Sequence, residues 1–306
     1  MVRPDVVQGR PAVRTRMVSD NPISMWSEME LERADDRPRG LSDGHAGVGA
    51  VTDATAVVRF DIGGLLRFLS HAETLRLFER ACARAGVPVK YSQGFNPHPK
   101  LSLPLPRPVG VASGGELLVL RVYHAKGFPL QEGQEAARVA WQDRMKDALA
   151  AVLPTGIVID SVTLEPANAS FAPTSVQYVL ALGQRSASEA ALGPQAKAAD
   201  LLASESLVLD RMSPKRGAPR RVDVRPFLKA IRFEGSRVIV ECGVSNAGTL
   251  RLSEMMRLLD VAPGDLAAPI RRKNIIWKTT YPSRPGDSIS PGCDAEDGQY
   301  ATRDVD

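Results

Sequence analysis

Apolar residues first recur with a regular period in AVVRFDIGGLLRFLSH, residues 56–71. β-Branched and aromatic residues dominate this stretch, and Gly63 and Gly64 interrupt it. That pattern predicts two short strands or one strand with a bulge. The period then changes to that of a helix, with Leu75, Phe78, Cys82 and Ala85 on one side. Ser70 and Glu73 have the spacing of a capping box, and Gly86 with Pro88 ends the helix. Cys82 is thereby read as a small core residue. Arg76, Arg80 and Arg84 form a row on the opposite face, which Glu73 and Glu79 partly offset.

Further on, KLSLPLPRPVGV and then GELLVLRVY read as strands, residues 131–152 as a helix with Val139, Met145, Leu149 and Val152 on one side, and GIVIDSVTL as another strand. Strand, helix, strand, strand, helix, strand is the order of the split βαβ unit of ferredoxin-like folds. A second series follows, with SVQYVLAL as a strand and residues 187–203 as a helix weakened by Gly193 and Pro194. SLVLDRM is a further strand, and LKAIRFEGSRVIVECGV a hairpin turning at Glu234, Gly235 and Ser236. In that hairpin Val238, Val240, Cys242 and Val244 alternate onto one face; LSEMMRLLDV is a short helix and IRRKNIIWK a last strand. The expected class is therefore α+β, with tandem ferredoxin-like units and antiparallel sheets over residues 56–170 and 171–278. The segment PANASFAPTS near residue 170 reads equally as a domain linker or as an ordinary connection.

Residues 1–55 and 279–306 show no sustained period and are rich in turn-forming residues, so disordered tails are expected there. Both tails are net acidic, and the excess of basic residues concentrates over 211–278, with fifteen basic against six acidic side chains. Lys215, Arg216, Arg220, Arg221, Arg225, Arg271, Arg272 and Lys273 are the candidates there for contacting phosphates. Basic excess marks a solvated surface as often as a nucleic-acid contact, so charge alone leaves both readings open. No run approaches the length of a bilayer span, and no apolar segment follows the first arginines, which predicts a cytoplasmic protein. Cys82, Cys242 and Cys293 are too far apart for a disulfide framework or a Cys-x-x-Cys metal site. No metal site is expected.

The candidate chemistry concentrates in YSQGFNPHPK, residues 91–100. Pro97 and Pro99 push Asn96 and His98 toward extended backbone and stiffen the loop. Gly94 frees it to turn, Gln93 and Asn96 supply amides, and Lys100 supplies a charge for a phosphate. Tyr91 and Phe95 either stack on a base or anchor the loop from below, the second being the commoner use of such aromatics. His71 and His98 are the candidate catalytic residues, yet no nucleophile or paired carboxylates accompany them at recognisable spacing.

The stretch LLRFLSHAETLRLFERACARAGVPVKYSQGFNPHPKLSLPLPRPVGVAS resembles the uncharacterised radical SAM-linked domain family, which is similar to a segment at the C-terminal end of cobalamin-binding radical SAM proteins or is encoded separately. Fainter similarity continues through RVDVRPFL and IRRKNIIW, for a span of about residues 57–278. SHAET departs from the family pattern, with Ala72 and Glu73 where a Leu-Asp pair is usual. The resemblance implies a role in RNA modification or maturation beside a separate radical SAM enzyme. A radical SAM enzyme holds its iron–sulfur cluster with three cysteines that this chain does not supply. The cluster, S-adenosylmethionine and cobalamin are accordingly expected only on that partner, and none in this chain. The functional expectation is an accessory that binds RNA or presents substrate. The alternatives are an enzyme with a small-molecule pocket under residues 91–102 and a bare protein-docking module.

Overall fold

The computed structural model describes residues 54–123, 133–183, 192–212 and 219–281. Nearly all of both expected tails, Cys293 among them, and the candidates Lys215 and Arg216 lie outside those residues. The opening apolar stretch is a single strand, β1 (Ala54–Ile62), followed by one 3-10 turn over Gly64–Phe68. Its pairing shifts register once against each neighbour. Helix α1 (His71–Arg84) begins with the anticipated capping box. The Ser70 hydroxyl accepts from the Glu73 N–H at 3.3 Å, and the Glu73 carboxylate accepts from the Ser70 N–H at 2.8 Å. Two of the helix's orphan donors are thereby satisfied. The buried face consists of Thr74, Leu77, Phe78, Ala81 and Cys82, with Leu75 only half-buried at its border.

After α1 come β2 (Leu101–Ser102), β3 (Ala112–Val122), α2 (Glu135–Val152) and β4 (Ile157–Pro166). β1 pairs antiparallel with β3 on one side and β4 on the other, and β2 pairs antiparallel with β3. α1 and α2 pack over one face of these strands around Phe60, Phe78, Leu118, Leu120, Met145 and Leu149. The Phe60 and Phe78 rings meet edge to face at 4.7 Å, a contact worth about 0.5–1.5 kcal/mol beyond its buried area. The core face of α2 uses Trp141 and Ala148 with Met145 and Leu149, while Val139, expected inside, is exposed.

The second half begins at β5 (Ser170–Ala181), only residues 167–169 separating it from β4. Then follow α3 (Leu192–Ala203), β6 (Val208–Arg211), β7 (Arg220–Asp223), β8 (Leu228–Glu234), β9 (Arg237–Ser245), β10 (Gly248–Thr249), α4 (Leu252–Leu259) and β11 (Arg271–Thr280). β8 and β9 form the expected hairpin, with Gly235 at a φ of 57° in the turn. Such a left-handed position favours glycine. Val238, Val240 and Cys242 face a second core that also holds Tyr178, Met255 and Leu259.

The two halves do not each carry their own large sheet. β11 returns from the end of the described chain to lie between β5 and β3, and one largely antiparallel sheet runs β10-β9-β5-β11-β3-β1-β4. The β11–β3 joint is parallel and short, pairing Arg271 with Ala112 and Arg272 with Ser113. Periodicity reports which residues of a strand are buried but not which strand lies beside it, so the joint left no trace in the pattern. β6 and β7 form a separate two-stranded sheet.

Candidate functional site

Residues 90–100 form a hairpin arm that leaves the sheet beside the end of β3. Three backbone bonds knit its base: Lys90 N–H donates to Arg121 C=O at 2.7 Å, Arg121 N–H to Lys100 C=O at 2.9 Å, and Lys100 N–H to Lys90 C=O at 2.6 Å. Further out, Ser92 N–H donates to His98 C=O at 2.8 Å, and the Ser92 hydroxyl accepts from His98 N–H at 2.9 Å. Tyr91 and Pro99 bridge between these points. The main chain is thus tied at both ends of the loop, while Gly94 sits at a φ of 135° that side-chain-bearing residues rarely adopt.

The side chains point away from this frame. Gln93, Asn96, His98 and Lys100 are exposed, Tyr91 is 44% exposed, and Phe95 is exposed to the full extent of a free side chain, 106%. Phe95 therefore does not anchor the loop from below. The hydrogen-bonded backbone holds the arm and leaves the Phe95 ring outside.

His71 is the first residue of α1, whereas the arm follows that helix's C-terminal end. Fourteen helical residues, a rise of about 20 Å at 1.5 Å per residue, lie between His71 and that end. His71 is half-buried in a small indentation with Thr74, Leu105, Arg107 and Glu116.

Beneath that indentation lies a buried ionic cluster. Glu116 accepts from Arg272 Nε at 2.9 Å and Nη2 at 2.5 Å, and is also hydrogen-bonded to the Ser113 hydroxyl. Arg272 further donates to the Pro106 carbonyl at 2.9 Å and is 1% exposed. It is withdrawn from the phosphate-contacting set, because burial and pairing leave it no route to a ligand in solvent. Ser113 and Glu116 meet because Gly114 and Gly115 bend β3 between them. Gly115 has a φ of 73°, and a Cβ there would stand 3.0 Å from the Arg59 guanidinium. Arg107 next to the cluster donates to the carbonyls of Arg67, Leu69 and Val111 at 2.6–2.9 Å, and burial holds its guanidinium below the usual arginine range. Burial also pushes the Tyr178 phenol up, against the charge and hydrogen bonding of Arg272.

The remaining basic candidates divide. Arg225 is half-buried and spends its guanidinium on the carbonyls of Ser204, Leu228 and Leu202 at 2.7–2.9 Å. It supports the chain that enters β8 rather than standing ready for phosphate. Arg220 and Arg221 are exposed on β7, in the small sheet whose Arg211 reaches the Thr249 carbonyl of β10. Arg271 and Lys273 are exposed on β11, in the middle of the large sheet. Sequence reading grouped the phosphate candidates by proximity along the chain, and the fold separates them.

A cleft of about 430 Å³ opens at the base of the arm. Lys100, Ser102, Val119 and Arg121 line it on one side, and Asn168 and Phe171 on the other. Arg121 Nη1 donates at 2.6 Å to the hydroxyl of Thr55, which is fully buried and itself donates to the Ala167 carbonyl at 3.1 Å. Apart from Lys100, none of these residues was marked by sequence reasoning. Arg121 had a signal, as the one charge within the apolar run LLVLRVY. Asn168 and Phe171 had none, being brought there by the fold.

Burial pushes the thiols of Cys82 and Cys242 up to about 12, so neither supplies a thiolate near neutral pH. Among the described residues no group of three His, Cys, Asp or Glu side chains is placed to hold a metal ion. No helix of the described residues is long and apolar enough to cross a membrane. The model of a protein family described as "Uncharacterized protein conserved in bacteria (DUF2344)" matches residues 56–253, about two thirds of the chain. No curated protein matches.

Proposed function

The chain belongs to that uncharacterized bacterial family, and from this premise we propose that it is a non-catalytic accessory that binds RNA for a separate radical SAM enzyme acting in RNA modification or processing. In this reading the cluster, S-adenosylmethionine and cobalamin reside on the partner. The observation that carries the RNA part is the arm, whose backbone is closed by hydrogen bonds while Phe95, Asn96 and His98 all point into solvent. An apolar ring held fully in water contributes nothing to folding, and a preorganised frame lowers the cost of placing it against a ligand. An aromatic with amides and an imidazole beside it suits an unstacked base, whose face and edge they meet.

The exposed cations add the second ingredient. Lys100 stands at the arm, and the exposed side chains of Arg271 and Lys273 lie on β11 and those of Arg220 and Arg221 on β7. Such residues position a backbone without reading sequence. His98 lines neither the indentation beside α1 nor the cleft at the arm's base. The alternative of an enzyme with a small-molecule pocket under residues 91–102 has the cleft lined by Lys100, Leu101 and Ser102 in its favour, but not His98. Ultraviolet crosslinking of the full chain to single-stranded RNA, with mass-spectrometric mapping, tests the proposal. Adducts are expected on peptides containing Tyr91 and Phe95; an absence of adducts, or adducts that spare the arm, would overturn it.

A further inference from the structure

We infer that the cleft at the base of the arm is a subsite for a single nucleotide of the bound strand, its base against Phe171 and its phosphate between Lys100 and Arg121. This inference rests on the RNA-binding reading and gives it a location. The lining is chemically one-sided. It contains two cations, two hydroxyls, an exposed amide and a half-buried aromatic ring, and no acidic side chain. A volume of about 430 Å³ falls within the range of clefts that take small ligands.

The cleft is also built rather than incidental. Arg121 would be free to swing if it stood alone on the strand, but buried Thr55 takes one of its N–H groups at 2.6 Å. Thr55 is in turn fixed to Ala167 at 3.1 Å, and Ala167 precedes Asn168 in the opposite wall. A chain of two hydrogen bonds therefore sets the separation of the walls. Thr55 is the only side-chain partner of Arg121 among the described residues, so the other donors of its guanidinium remain for an anion. The Lys100 backbone bonds to Arg121 and to Lys90, which fixes the second cation to the same junction. A phosphate alone would need only the two cations. The Phe171 ring and the Asn168 amide supply the stacking face and the edge-reading group that distinguish a nucleotide from inorganic phosphate. The arm rises from the same junction, so a strand with one nucleotide in the cleft passes along it.

Adenosine 5′-monophosphate, adenosine and inorganic phosphate are titrated into the isotopically labelled full chain, with backbone resonances observed. The nucleotide is expected to shift the amides of Arg121, Asn168 and Phe171, and to saturate at about tenfold lower concentration than either fragment. Asn168→Asp, at an exposed position, and Phe171→Leu, which keeps an apolar side chain of similar size, each weaken nucleotide binding by about tenfold while the melting temperature stays near wild type. Inorganic phosphate that binds as tightly as the nucleotide reduces the cleft to an anion site and overturns the inference, as does an absence of shifts there. The same proteins are titrated with a labelled single-stranded RNA. Equal RNA affinity of wild type and both variants refutes the subsite and leaves the RNA-binding reading standing. If the nucleotide fills the cleft but no RNA binds, the RNA-binding reading fails, and with it the assignment to a nucleotide within a strand.

Discussion

Single residues divide here into those that hold the fold and those that leave it, and the chemistry of each side chain does not announce which. Arg272 and Arg271 are neighbours in sequence, yet one is 1% exposed and paired with Glu116 while the other faces solvent. Strand alternation explains the difference, because consecutive side chains point to opposite faces. The sequence made the basic character of IRRKNIIWK legible, but the face on which each charge falls depends on the neighbouring strand. Glu116→Ala is expected to destabilise the protein by about 3–5 kcal/mol, since Arg272 is left charged and buried without its partner. Denaturant unfolding monitored by circular dichroism measures this. A loss of under about 1 kcal/mol, typical of an exposed ion pair, would show the pair to be solvated. Phe95→Ala, by contrast, should leave stability within about 0.5 kcal/mol of wild type, because a ring outside the core forfeits no packing.

At the level of elements, the parts with strong local signals formed as the sequence indicated. The capping box of α1, the β8–β9 hairpin and the alternation of Val238, Val240 and Cys242 all follow from residues close together in the chain. Ser70→Ala removes the acceptor for the Glu73 N–H and should cost about 1 kcal/mol, measurable by thermal unfolding; an unchanged transition would mean that water replaces the cap without loss. The arm was legible as a stiff loop from its prolines, but the exposure of Phe95 was not, because such aromatics more often anchor a loop than face solvent. At α4, burial works to raise the Glu254 carboxyl. Two 2.8 Å bonds from Arg211, the Arg251 N–H and the two arginine charges outweigh burial and hold the group below its ordinary value of 4.5. A carboxyl whose folded value is depressed stabilises the protein above its unfolded value and loses that contribution as pH falls through the folded one. Glu254→Gln should therefore lose stability at pH 7 and converge on wild type as the pH drops below 4.5. A stability difference that persists unchanged at pH 3 would contradict this.

Across the whole molecule, the α+β class and most of the order of elements could be read along the chain, whereas the joining of both halves in one large sheet could not. β11 joins two halves whose patterns look independent, through only two paired residues on β3. That insertion also sets the exposed cations of β11 beside the first half, while Arg220 and Arg221 remain in a separate sheet. An RNA strand held by the arm and by β11 should show binding that weakens steeply with salt. Replacing Arg271 and Lys273 together should lower the slope of log affinity against log salt by roughly one unit per lost phosphate contact or somewhat less, without changing sequence preference. The decisive measurement is the affinity of the full chain for a labelled single-stranded RNA, by fluorescence anisotropy, beside the variant carrying Phe95→Ala, Asn96→Ala and His98→Ala, with melting temperatures taken in parallel. Wild type should bind, and the variant should bind at least about tenfold more weakly at an unchanged melting temperature, as the loss of one stacked base would give. Equal binding by both proteins, or no binding by wild type, would contradict the assignment of the arm to RNA.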